Sequence, residues 1–157
     1  MPIPAFPPTA YALTRALPGV PFADAVTRTR AALAGQGFGV LTEIDIRATL
    51  KAKLGAEVRD YVILGACNPA LAHRALSEEP GVGLLLPCNV VVSADDDGGA
   101  IVAAVDPLAL FGVVGSPGME GLAGEVRERP VLALDAVVGD HPLGLSCTQT
   151  FGHSVEG

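Results

Sequence analysis

Charge is scarce in this chain, and positive charge is scarcest. Asp, Glu, Lys and Arg make up 17% of the 157 residues, with ten Lys+Arg against 17 Asp+Glu and a formal net charge of -7. An acidic chain repels phosphate, so nucleic acid is not expected as a partner. Cysteine is nearly as sparse. Cys67, Cys88 and Cys147 are too few, and odd in number, for a disulfide framework, which points to reduced thiols. The opening Met1-Pro2-Ile3-Pro4-Ala5-Phe6-Pro7-Pro8 has neither the basic nor the apolar region of a signal peptide. The longest apolar stretch, Val82 to Val92, contains Pro87 and Asn89 and is about half the length of a membrane span. These absences lead to the expectation of a cytoplasmic protein with no membrane partner.

What is present is apolar. Hydrophobic residues are 50% of the chain and the mean hydropathy is +0.45, which excludes disorder over most of the length. The length suits one domain able to bury roughly 70% of its unfolded surface. So little polar surface remains that some apolar area is expected to close against a second copy, as a homodimer.

Periodicity and turn chemistry outline the elements. Four prolines in the first eight residues read as an extended arm over 1–9, ahead of a single domain over 10–138. Tyr11 to Leu17 alternates as a strand. Pro21 opens a helix carrying Phe22, Ala25, Val26 and Leu33, stopped by Gly35 and Gly37. Phe38 to Ile46 reads as a second strand, with Val40, Ile44 and Ile46 on one face and Glu43 and Asp45 on the other. Asp45 can cap a short helix closed by Gly55. Tyr61 to Cys67 is apolar on both faces and therefore an interior strand. Asn68-Pro69 pairs a capping residue with a proline at the first helical position, and that helix ends before Pro80-Gly81. Gly83–Ser93 and Ala100–Val105 form a hairpin around Asp95 to Gly99, with Pro87 implying an edge, a bulge or a kink. Asp106-Pro107 starts a helical or irregular stretch through Leu110. A last helix carries Met119, Leu122, Ala123, Val126, Ala133, Leu134 and Val137, and Pro130 should kink or split it. The remainder, 139–157, reads as a flexible tail.

Several chemistries fail on spacing. Gly37-Phe38-Gly39 and the glycines of 112–121 match neither a phosphate-binding loop nor a dinucleotide fingerprint. No serine sits in a nucleophile elbow. Asp95 to Asp97 is a turn, short of the oxygen ligands calcium requires. Glu43 and Asp45 share a strand face and could act as paired carboxylates, but a solvated face explains them as well. Cys67 and Cys88 are twenty-one positions apart, so they form no CxxC redox motif.

The two thiols still draw attention. Cys67 precedes the Asn68 cap, where the free N–H groups and positive end of a helix would stabilise a thiolate. Cys88 follows Pro87, where an irregular strand could re-aim side chains. If the two strands are neighbours, Cys67, Asn68, Cys88 and Asn89 converge on a pocket for a small polar or anionic ligand, with Asp45 and Asp106 as further candidates. The same residues have plainer readings: a buried cysteine acts as a small hydrophobe, and Asn68 is accounted for as a cap. Zinc could use Cys67, Cys88 and His73, but His73 lies beyond the first turn of its helix, and no metal or cofactor is expected. Cys147, His141 and His153 fall in the tail.

The peptides Gly37-Phe38-Gly39-Val40-Leu41-Thr42-Glu43-Ile44-Asp45, Gly65-Ala66-Cys67-Asn68-Pro69-Ala70-Leu71-Ala72, Leu86-Pro87-Cys88-Asn89-Val90 and Val105-Asp106-Pro107 together resemble the domain-of-unknown-function family 302. The resemblance runs from Tyr11 to Val138. It implies a TATA-box-binding-protein-like α+β fold, a curved antiparallel sheet with helices on one face, paired as a homodimer; it implies no activity. Three roles stay open: a binding module around Cys67, Asn68, Cys88 and Asn89, a redox protein or enzyme using Cys67 as nucleophile with Cys88 as resolving partner, and a purely structural role.

Overall fold

Local signals set most of the elements. The computed structural model, which describes residues 2–139, has strands β1 (Ala12–Leu17), β2 (Gly39–Asp45), β3 (Tyr61–Cys67), β4 (Cys88–Ala94) and β5 (Ala100–Val105) and five α-helices, one after each of the first three strands and two after the β4-β5 hairpin. The helices are α1 (Phe22–Gly35), α2 (Ile46–Leu54), α3 (Pro69–Glu78), α4 (Pro107–Gly112) and α5 (Pro117–Gly139). Three of them start at caps of the expected kind. Asp45 accepts from the Ala48 N–H at 2.9 Å, Asn68 from Leu71 at 3.3 Å and Asp106 from Leu108 at 3.0 Å, each satisfying an N–H left free at a helix start. The expected tail, with Cys147, His141 and His153, lies outside the described residues.

The strands pair antiparallel in the order β1-β5-β4-β3-β2. Side chains alternate across a sheet, so one face carries Leu13, Leu17, Val62, Leu64, Val90, Val92, Val102 and Ala104, all buried. Against it pack Ala25 and Leu33 of α1 with Ala133, Leu134 and Val137 of α5. A second core forms beyond the end of the sheet, where β3 finishes and β4 begins. It joins Ala75 of α3, Phe111 of α4 and Met119, Leu122, Ala123 and Val126 of α5, together with Val82. The long α5 therefore serves both cores, one with each half. Each of its seven apolar positions named from sequence is at most 5% exposed.

Three expectations need correction. Helix α5 is not split: it runs unbroken through Pro130, which is buried beside α1 and β5 rather than left to break the helix in solvent. Gly83 to Pro87 is not strand. Pro80–Leu85 forms a 3₁₀ helix, Leu86–Pro87 is a cis peptide, and β4 begins only at Cys88. In β2 the register shifts between Val40 and Thr42. The extra residue puts Val40 on the same face as Glu43 and Asp45 and turns Ile44 outward, 45% exposed. Ile46 belongs to α2.

Residues 2–10 carry no helix and no strand. Their course is fixed at both ends. Arg59 donates to the Ile3 carbonyl and to the Ala94 carbonyl, each at 2.8 Å, and the Asp106 N–H donates to Tyr11 O at 2.8 Å. Those anchors sit at opposite ends of β4 and β5, so the arm runs the length of the sheet.

Candidate functional site: a thiol-lined cavity at the seam of two cores

The pairing of β3 with β4 places Ala66 opposite Cys88 and Gly65 opposite Asn89. Cys67, the last residue of β3, is one position beyond the residue facing Cys88 and by alternation starts from the face of Asn89, yet it lines the same cavity of about 30 Å³ as Cys88. Such a volume holds one or two water-sized groups. Asn68 lines it as well, and the remaining wall is apolar: Phe38, Leu71, Ala75, Leu86, Phe111, Leu122 and Val126 among others. The cavity lies where the sheet core meets the second core, roofed by the first half of α5.

Burial pushes the Cys88 thiol up to about 11, and the nearby Cys67 adds in the same direction. Cys88 is thus a protonated thiol at neutral pH, the expected behaviour of an acid removed from water. Beside Asn68 the backbone bends through Gly37, whose φ of +80° favours glycine. A Cβ there would lie 3.1 Å from Asn68 Nδ2 and 3.5 Å from Arg129 Nη1. The Asn68 carboxamide and the Arg129 guanidinium therefore both lie close to the Gly37 backbone. Arg129 is held in place by donating to the Gln36 carbonyl at 3.1 Å.

The other candidates fall elsewhere. Asn89 is on the opposite face of the sheet from Cys88 and is exposed; it lines a larger cavity with Pro87 and Val105, and it meets Cys88 only in a small cavity of about 10 Å³ beside Phe38 and Pro130. Asp106 is near the same end of the sheet but is already engaged, accepting from Arg127 Nε at 3.2 Å as well as capping α4. Asp45 pairs with Val62, whereas Cys67 pairs with Gly39, so Asp45 and the cavity are at opposite ends of β2 and β3. His73 is exposed and does not line the cavity. Among the described residues no three His, Cys, Asp or Glu side chains gather as metal ligands.

Sequence reasoning missed the roof and the neighbours of Asn68. Leu122 and Val126 were legible as core residues, but their spacing does not show that α5 serves two cores. Gly37 and Arg129 are brought to Asn68 by tertiary packing that spacing does not encode.

The class of protein is therefore a single α+β domain: an open antiparallel sheet of five strands, helices on one face, and a thiol-lined cavity at one end. The chain belongs to the family described as Domain of unknown function DUF302, whose family model matches residues 13–137. It is similar to a solved protein, the crystal structure of an uncharacterized conserved protein DUF302 from Bacillus stearothermophilus, at 28% identity and a TM-score of 0.76. The match covers 82% of this chain and 99% of that one. No curated protein matches the chain. No described helix is long and apolar enough to cross a membrane.

Proposed function

We propose that this domain is a cytoplasmic, homodimeric binding module that takes a small polar or anionic group at the thiol-lined cavity. The observation that carries this reading is the convergence of the Cys67-Asn68 and Cys88 peptides, from different strands, on one cavity. What an anion needs lies close by: the Asn68 carboxamide, which lines the cavity, and the Arg129 guanidinium both approach Gly37. The interior, apolar apart from the thiols and Asn68, suits the ligand's soft or apolar atoms. The group held inside is small, because the cavity is.

The test is alkylation of each cysteine by iodoacetamide, read by peptide mass spectrometry on protein purified anaerobically. The binding reading expects Cys67 to label in the folded protein, and Cys67→Ser to fold and sediment as wild type does. Resistance of both thiols until unfolding, with large destabilisation by Cys67→Ser, would make them core residues and sink it. Sedimentation equilibrium tests the dimer.

A second reading uses the same adjacency. Cys67 attacks an external disulfide such as oxidised glutathione, and Cys88 then displaces the bound half to give a Cys67–Cys88 disulfide. Two electrons pass to the glutathione, which leaves as two reduced molecules once both cysteine protons are accounted for. Titration with oxidised glutathione should then yield an intramolecular disulfide, reversible with dithiothreitol. A mixed disulfide that persists at Cys67 would exclude a resolving role for Cys88.

A further inference from the structure

A larger cavity, of about 230 Å³, lies on the other side of the Leu86–Pro87 segment. Leu86 and Pro87 line both cavities, so a single stretch of chain is their common wall. The outer cavity is lined by Leu84, Leu85, Leu86, Pro87, Asn89, Val105 and Leu110; it opens to solvent past Leu84, which is 93% exposed, and no charged side chain lines it. An ion would find no counter-charge on this largely apolar wall, so the lining suits a neutral ligand. The volume is below the range of about 300–1,000 Å³ that holds drug-sized molecules, which leaves room for a single small ring.

One polar side chain reaches this cavity. Asn89 interrupts the apolar run of β4 on the face away from Cys88, and helix capping gives no account of it, as it does of Asn68. Its carboxamide offers an acceptor and two donors in one plane. A cis-amide edge, with its N–H and C=O side by side, is the neutral group that meets both at once. We propose that the outer cavity binds a neutral ring of the lactam or cyclic imide class, with its carbons against Leu84, Leu86 and Pro87 and its amide edge on Asn89. The site does not use the cavity between Cys67 and Cys88, with which it shares Leu86 and Pro87 as a wall.

The test is titration of the full-length chain with δ-valerolactam and with its N-methyl analogue, followed by protein NMR. The lactam should bind saturably at one site, shifting the Asn89 side-chain amide and the Val105 backbone resonances. The N-methyl analogue lacks the donor and should bind about five- to tenfold more weakly, the span a single hydrogen bond provides. Asn89→Leu should remove that preference, Val105→Trp should abolish binding by filling the cavity, and Cys67→Ser should leave binding unchanged. Equal binding of the two compounds to the wild type, or no saturable binding of either, overturns the proposal. So does sedimentation showing a dimer that Val105→Trp dissociates, since a second copy would then be the occupant. The wild-type comparison needs no variant to fold, and cysteine labelling reads the thiol cavity separately.

Discussion

Cys88 holds its proton in the folded state because burial and the neighbouring Cys67 push its thiol up to about 11, whereas a solvated thiol in the unfolded chain ionises near ~8.5. The folded state thus binds that proton more tightly. The associated stability is complete below ~8.5 and is lost as pH rises through the folded value. Denaturant unfolding across that window should show wild type losing stability relative to Cys88→Ala as pH climbs from about 8.5 towards about 11. A constant difference would mean that Cys88 is not buried as described. Gly65 is a second residue with a measurable constraint. A Cβ there would collide with the Thr42 hydroxyl and approach Pro87 Cγ to 2.9 Å. Gly65→Ala should cost about 1–3 kcal/mol by overpacking, and Thr42→Ala in the same chain should recover part of it, as thermal unfolding would show.

Elements were most legible where one residue's chemistry decides a boundary. Asn68, Asp45 and Asp106 cap helices because a short polar side chain can reach an N–H two or three residues ahead, and that is a property of local sequence. Asp45→Ala should therefore cost about 1 kcal/mol of stability and leave iodoacetamide labelling of Cys67 unchanged, since the cap and the cavity are at opposite ends of β3. A changed labelling rate would restore Asp45 to the site. Elements were least legible where the deciding contact is distant. The bulge in β2 reverses the faces read from alternation, and nothing in Val40-Leu41-Thr42 marks it. The run from Gly83 into β4 looked like strand because it is apolar, yet Val82 is drawn into the second core and the chain turns as a 3₁₀ helix before pairing begins. Of the candidate site, the two thiols and Asn68 could be found from their peptides. Asn89 was grouped with them because it adjoins Cys88 in sequence, and strand alternation sends it to the other face.

At the scale of the whole molecule, two cores meet along α5. Met119 and Leu134 are both almost fully buried, at 0% and 3% exposed, one in each core. Truncating either to Ala should cost about 2–5 kcal/mol. Their effects on the thiols should differ: Met119→Ala loosens the second core, which holds the roof residues Leu122 and Val126, and should speed Cys88 alkylation at fixed pH in the folded protein, whereas Leu134→Ala acts on the sheet core and should not. Equal acceleration by both variants would show that Cys88 labels only through global unfolding.

Pro130 stands at the seam between those halves, and having no N–H it leaves the Val126 carbonyl without its helical donor. The helix lacks one rung at the place where its allegiance passes from one core to the other. Opening the outer half therefore breaks one backbone bond fewer than opening elsewhere along α5, and it need not disturb the sheet. Amide hydrogen exchange should accordingly divide α5 into two cooperative blocks, with 117–129 exchanging faster than 131–139. In such a molecule the thiols would meet solvent through a partial opening, on a timescale set by the smaller core and not by the lifetime of the whole fold.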